Sequence, residues 1–327
     1  MDASRAHAPA RAAVLLQTAD ACHDDDPSRA AGLLQSLDFA ELDPGQRARV
    51  AFLLTHVFAE RLGQPGEAWR LQQALLAACG PQASLPLLRN AAAAARLAGE
   101  GAAEAALTSR LADSAGVPPG QAADLVAVAA TVFGLSRLHG AHAGEAALAA
   151  LAPLHGPAWQ SASALDGPAA ALTNNIATEL AERPVPELDV PSVRRAMDEG
   201  ARLAQGFWHR AGQWVQHERA HYLRALVANA LGDPAVAAEQ ANAGLVLLAN
   251  HDTDRQQQVD EAFLRSELAH ALSRMGRGVD ASVERGMADA LAEGFDDAEL
   301  VAWYRRRLAR QVALDAVATA GAGAARP

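Results

Sequence analysis

The chain has 327 residues, half of them hydrophobic and about a quarter of them Ala, which is length enough for a large core. Aromatics make up only 4% and β-branched residues are sparse, so a sheet lacks its usual material and an all-α fold is expected. All 28 basic residues are Arg, which excludes a phosphate loop ending in Gly-Lys-Ser/Thr and a Schiff-base lysine, and the net charge of −10 argues against broad nucleic-acid binding.

In chain order, Arg5, Arg11, Asp20 and the run Asp24-Asp25-Asp26 interrupt the amino-terminal region, so no apolar leader is expected there. Cys22 and Cys79 form neither a CxxC pair nor a disulfide framework and read as small packing residues in a reduced, cytoplasmic protein. Amphipathic runs are then divided by short Gly turns at Gly63, Gly99, Gly140, Gly232 and Gly276. Gly99-Glu100-Gly101 lies between helices, lacks a third Gly, and is a turn rather than a dinucleotide loop. The uncharged stretch Leu125 to Leu135 is well short of the ~20 residues a membrane span needs. His139, His142 and His155 have no spacing that closes a metal set and read as surface residues.

The turns recur about 36, 41 and 44 residues apart within their groups, a period in the range of stacked helix pairs. Small residues flank them: Ala92, Ala225 and Ala269 seven positions before, and Ala68, Ala105, Ala146, Ala237 and Ala281 five or six after. The clearest unit runs from Leu223-Arg224-Ala225 through Leu231-Gly232-Asp233-Pro234 to Ala237. On these residues the sequence resembles the tetratricopeptide-repeat superfamily over roughly 60% of its length. The resemblance implies a right-handed superhelix of stacked antiparallel helix pairs, an α-solenoid, as one domain over residues 1–316. Residues 158–215 form a degenerate unit with a longer loop at Arg183-Pro184-Val185-Pro186, and residues 317–327 are expected to be a disordered tail.

One catalytic motif stands out, His217-Glu218-Arg219-Ala220-His221, a match to HExxH that places two imidazoles on one helix face with Glu218 as base. Arg224 and Val227 stand where one zincin class needs Gly and His, and the run already serves as the first helix of the best repeat unit. Packing is therefore the favoured reading, no metal or cofactor is expected, and a zinc hydrolase is the alternative. Arg305, Arg306, Arg307 and Arg310 form the one basic run, read as a solvated helix end or a docking patch for an acidic partner.

In the repeat family the first helix of each pair lines the concave surface. Positions three before each turn Gly are Glu60, Arg96, Arg137, Asn229 and Ser273, and those ten before include Arg89 and Tyr222. Arg89, Arg96, Arg137, Tyr222 and Asn229, with Asn174 and Asn175 from the degenerate unit, are thus the candidate binding residues. Guanidinium groups grip carboxylates and Asn amides satisfy an extended backbone, so the expected partner is a protein or peptide, acidic or ending in a free carboxylate. The expected function is a non-catalytic interaction scaffold, with a ligand-sensing regulatory repeat domain as a further alternative.

Overall fold

A computed structural model describes residues 3–251 and 254–324, with side chains from residue 11 to 251, at 254, and from 256 to 316. All regular structure among the described residues is helical, and none of those helices is long and apolar enough to cross a membrane. The expected tail from residue 317 falls on side chains, and from residue 325 on backbone, outside the described residues.

The chain divides into two compact units, residues 1–138 with 152–165, and residues 139–151 with 166–327. The first contains α1 (Ala3–Cys22), α2 (Pro27–Gln35), α3 (Pro44–Leu54), α4 (Pro65–Cys79), α5 (Leu85–Leu97), α6 (Gly101–Ala115) and α7 (Pro119–Leu135). A π-helical stretch, Thr55–Arg61, continues α3. The second contains α8 (Gly140–Leu151), α9 (Asp166–Ala181), α10 (Pro191–Ala211), α11 (Trp214–Leu231), α12 (Pro234–Ala249), α13 (Arg255–Arg274), α14 (Gly278–Ala292) and α15 (Ala298–Ala324).

Punctuation in the sequence becomes helix boundaries. Asp26-Pro27, Asp43-Pro44 and Asp233-Pro234 each open a helix: the Asp carboxylate accepts an orphan amide, from Arg29, Gln46 and Val236 respectively. Pro at the next position has the required φ and no amide to leave unsatisfied. All five turn glycines have positive φ, from 51° to 81°, where a side chain would be strained. At Gly63 the requirement is double, because the Arg137 guanidinium lies directly over the space a Cβ would occupy.

Helices adjacent in sequence pack as neighbours: α1 with α2, α4 with α5, and α5 with α6 in the first unit; α9 with α10, α11 with α12, and α13 with α14 in the second. Ala225, Ala237, Ala269 and Ala281 are buried as the small-residue pattern requires. So are Ala68 and Ala92. Ala105 is exposed and Ala146 half-buried, because the inward stripe of α6 runs through Leu107, Thr108 and Leu111 and that of α8 through Ala143, Gly144 and Ala147. The segment read as a degenerate pair is α9 and α10, joined by a short 3₁₀ turn over Val185–Asp189, and α10 also packs on α8.

The basic run on α15 is not wholly solvated. Arg307 is buried and donates from Nε to Glu267 Oε1 on α13 at 2.7 Å. Glu267 is fully buried, and its Oε2 accepts from Asn229 Nδ2 on α11 at 2.7 Å. Arg310 donates to the carbonyls of Ala181 and Arg183, at and just beyond the end of α9. A cation there complements the negative end of a helix other than its own.

Backbone closes on backbone where α8 meets α10. A methyl group at Gly144 would run into the backbone of Ser192 and Val193, so neither partner can yield by rotating a side chain. Gly144→Ala is expected to destabilise the protein by ~1–3 kcal/mol in chemical denaturation. Gly286→Ala, on α14 with open space around it, is expected to stabilise slightly, by up to ~1 kcal/mol. Equal effects at the two sites would show that the α8–α10 junction is looser than described.

Candidate functional site

A concavity of the second unit is lined from α9, α11, α13 and α15 and holds about 490 Å³. Its apolar wall is aromatic and aliphatic: Phe263, Trp303, Leu223, Leu226, Val259 and Leu300. Phe263 organises the wall, with the Trp303 ring 4.5 Å away and Tyr222 and Tyr304 meeting it edge-on at 6.0 and 5.4 Å. Apolar lining with a few polar groups is the usual construction of a ligand site.

Two of those polar groups are unusual. Glu218 is fully buried, and neither of its carboxylate oxygens has a hydrogen-bond partner. Burial pushes its carboxyl up to about 8, with Asp260 adding to the rise and Arg219 opposing it, so Glu218 is neutral at pH 7. The Tyr222 hydroxyl is likewise buried without a partner, and burial raises its pKa further. Asp260, also raised by burial, accepts from Arg219 Nη2 and Nε at 3.0 and 3.1 Å.

A second concavity of about 520 Å³ adjoins the first, sharing Glu182 and Trp303 and otherwise lined by Arg306, Arg307 and Arg310 of α15. These three fall on one side of α15 because they occupy positions i, i+1 and i+4. Glu267 uses only Nε of Arg307; the buried Nη2 of Arg307 and Nε of Arg310 have no acceptor. Burial, and then the neighbouring Arg307 charge, lower the pKa of Arg310, so a bound anion would be stabilised there. An arginine cluster thus stands beside an apolar pocket, with Trp303, 38% exposed, on the boundary.

The residues singled out from sequence are dispersed. Tyr222 and Asn174 line the apolar pocket, while the neighbouring Asn175 is exposed. Asn229 is fully buried and donates its amide to the Glu267 carboxylate and carbonyl. In the first unit, exposed Arg96 pairs with Glu104 at 2.8 Å, and Arg137 reaches the carbonyl of Glu60 at 3.4 Å. Arg89 contacts Asn90 Oδ1 at 3.4 Å, and burial lowers its pKa. Sequence reading passed over Trp303 and Glu182. The signal for the cluster was present as Arg305–Arg310, with its docking role placed second.

The two histidines of the HExxH run are engaged separately. His217 Nε2 meets the Trp208 carbonyl at 3.1 Å, and His221 Nδ1 meets Gln240 Oε1 at 3.0 Å. Among the described residues they are not gathered with a third ligand. Neither a known family nor any of the curated proteins compared with this chain is a match, so its own residues carry the functional argument.

Glu218 makes the fold pH-sensitive with a defined sign. Its carboxyl keeps a proton in the folded state up to about pH 8 but loses it near 4.5 when unfolded. The folded state therefore binds more protons across that window, and stability falls as pH rises through it. Glu218→Gln is expected to abolish this slope, worth at most ~1.4 kcal/mol for each pH unit crossed. Denaturation at pH 5, 6.5 and 8 measures it; parallel curves for the two proteins would refute the assignment.

Proposed function

We propose that the protein is a non-catalytic, cytoplasmic interaction scaffold of the tetratricopeptide type, whose helix pairs stack as a right-handed superhelix and capture a carboxylate-bearing segment of a partner protein. The turn glycines, the buried alanines and the packing of α11 against α13, the first helices of successive pairs, support the repeat reading. The capture site is the pair of adjoining concavities in the second unit. A partner's carboxylate, at its C-terminus or on an acidic side chain, is held by Arg306, Arg307 and Arg310. An apolar side chain beside it enters the pocket past Trp303.

One observation carries this reading: two buried guanidinium nitrogens without acceptors, at the mouth of an apolar pocket. An unsatisfied buried donor costs about 1–3 kcal/mol, which a carboxylate would recover as charge-assisted hydrogen bonds once the guanidinium groups turn toward it. In a chain of net charge −10, a local arginine cluster also steers acidic partners to one place.

The test uses fluorescein-labelled hexapeptides ending in Leu, Phe or Val, each as free acid and as amide, followed by fluorescence anisotropy. At least one free acid is expected to bind about tenfold more tightly than its amide, a difference of ~1.4 kcal/mol. Arg306→Gln, at an exposed position, and Trp303→Ala should each weaken it several-fold, the former more at low salt. Equal affinity for acid and amide, or binding indifferent to both substitutions, would reject the site.

A further inference from the structure

The first unit carries a second, chemically different cluster, where the turn after α1 meets the π-helical stretch. His23 and Asp24 lie on that turn, and His56 and Glu60 lie in Thr55–Arg61. Asp24 bridges the two imidazoles: its Oδ2 is 3.4 Å from His23 Nε2 and its Oδ1 is 3.2 Å from His56 Nε2. One ligand atom from each of the three residues falls within 4.8 Å of the others.

The opposite nitrogen of each ring is also accounted for. His23 Nδ1 lies 2.5 Å from the carbonyl oxygen of Asp20, and His56 Nδ1 lies 2.7 Å from Glu60 Oε2. A carbonyl and a carboxylate can only accept, so both rings donate through Nδ1. Each Nε2 is then the nitrogen that either carries a second proton or offers its lone pair. Metal-binding histidines are held this way, one nitrogen on the metal and the other donating to a carboxylate or backbone carbonyl.

The framework around the cluster is fixed from several sides. Phe52 stacks on the His56 ring, with centroids 5.3 Å apart and planes 10° from parallel. Arg61 Nη2 donates to the Asp24 carbonyl at 2.6 Å, so the same π-helical stretch holds the turn that bears the carboxylate. Such π-helical segments occur often at functional sites. Ligands about 2.1 Å from a tetrahedral ion stand about 3.4 Å apart; each ring is near that distance from one of the two Asp24 oxygens, and the three ligand atoms together lie within 4.8 Å, a set that contracts onto an ion.

We propose that His23 Nε2, His56 Nε2 and the Asp24 carboxylate bind one divalent transition-metal ion of the zinc class, with Asp20 and Glu60 as the outer acceptors that orient the rings. Two imidazoles and one carboxylate leave a fourth position for water, the arrangement of an open rather than a closed site. Binding displaces any proton on Nε2 and draws the Asp24 side chain, 66% exposed, and the two rings together. This site is independent of the capture site in the second unit, and its test does not depend on peptide binding.

The full chain, stripped with chelator and dialysed, is titrated with Co²⁺ in visible absorption and then with Zn²⁺ as competitor. One Co²⁺ per chain with d–d bands is expected, displaced by one Zn²⁺. His23→Gln/His56→Gln should abolish the bands, and Asp24→Asn, at a largely exposed turn position, should weaken binding at least about tenfold with helicity unchanged. His217→Gln/His221→Gln should leave stoichiometry and bands as they are. Absence of stoichiometric binding in the wild type would overturn the proposal and leave a hydrogen-bonded His–carboxylate clamp. Full binding in Asp24→Asn, or its loss in the His217/His221 variant alone, would overturn it as well.

Discussion

The second unit depends on one buried carboxylate. Glu267, on α13, accepts from Asn229 on α11 and from Arg307 and Gln311 on α15. Burial opposes its charge, but Arg307 and Asn229 outweigh that cost, so its pKa is lowered. Three helices are thereby tied through a single side chain, and loss of Arg307 would strand the Glu267 charge in the core, typically at 3–5 kcal/mol. The same anchor sets the candidate site. With the Arg307 Nε held by Glu267, Trp303 one turn earlier and Arg310 one turn later are fixed around it, and the remaining Nη2 is left unsatisfied. Site and core are two ends of one hydrogen-bond network.

What could be read from the sequence was what is local. A Gly that must adopt positive φ, an Asp that caps the next turn and an Ala that admits a neighbouring helix all act within a few residues, and they mark the helices at Gly232, Asp233 and Ala237 correctly. Asn229 shows where this ends. Its polarity inside an apolar run suggested a groove-facing side chain, but an isolated polar residue is equally stable inside when a partner meets it. Glu267, its partner, lies 38 residues away. Arg307 repeats the lesson: a run of arginines is legible as charge, while its neutralisation by a glutamate 40 residues upstream is a fact of packing. His23 and His56 are 33 positions apart (56 − 23), in segments with no motif, and only the fold brings them to one carboxylate.

The HExxH run shows how little spacing alone says about where its side chains go. Positions four apart on a helix do share a face, but a face several residues wide meets more than one neighbour. His217 is taken by α10 through the Trp208 carbonyl, while His221 is shared between Gln205 of α10 and Gln240 of α12. The residue between them is the consequential one. Glu218 is buried beside an aromatic pocket, and neither of its carboxylate oxygens has a hydrogen-bond partner.

Two glutamates in the same unit, both fully buried, thus end in opposite protonation states. Glu267 is surrounded by donors and stays charged; Glu218 meets none and holds its proton to about pH 8. That difference bears directly on what the adjoining site accepts. A charged Glu218 would add a negative potential to a pocket already bordered by Glu182 and Asp260 and would oppose an incoming carboxylate at close range. Neutral, it contributes no such repulsion and offers a hydroxyl donor in its place, next to the unsatisfied Tyr222 hydroxyl. The apolar surroundings that keep the proton on Glu218 are the same side chains that would receive the ligand. In the proposed capture, an apolar side chain and a nearby anion would be tolerated for one cause, the low dielectric of that pocket.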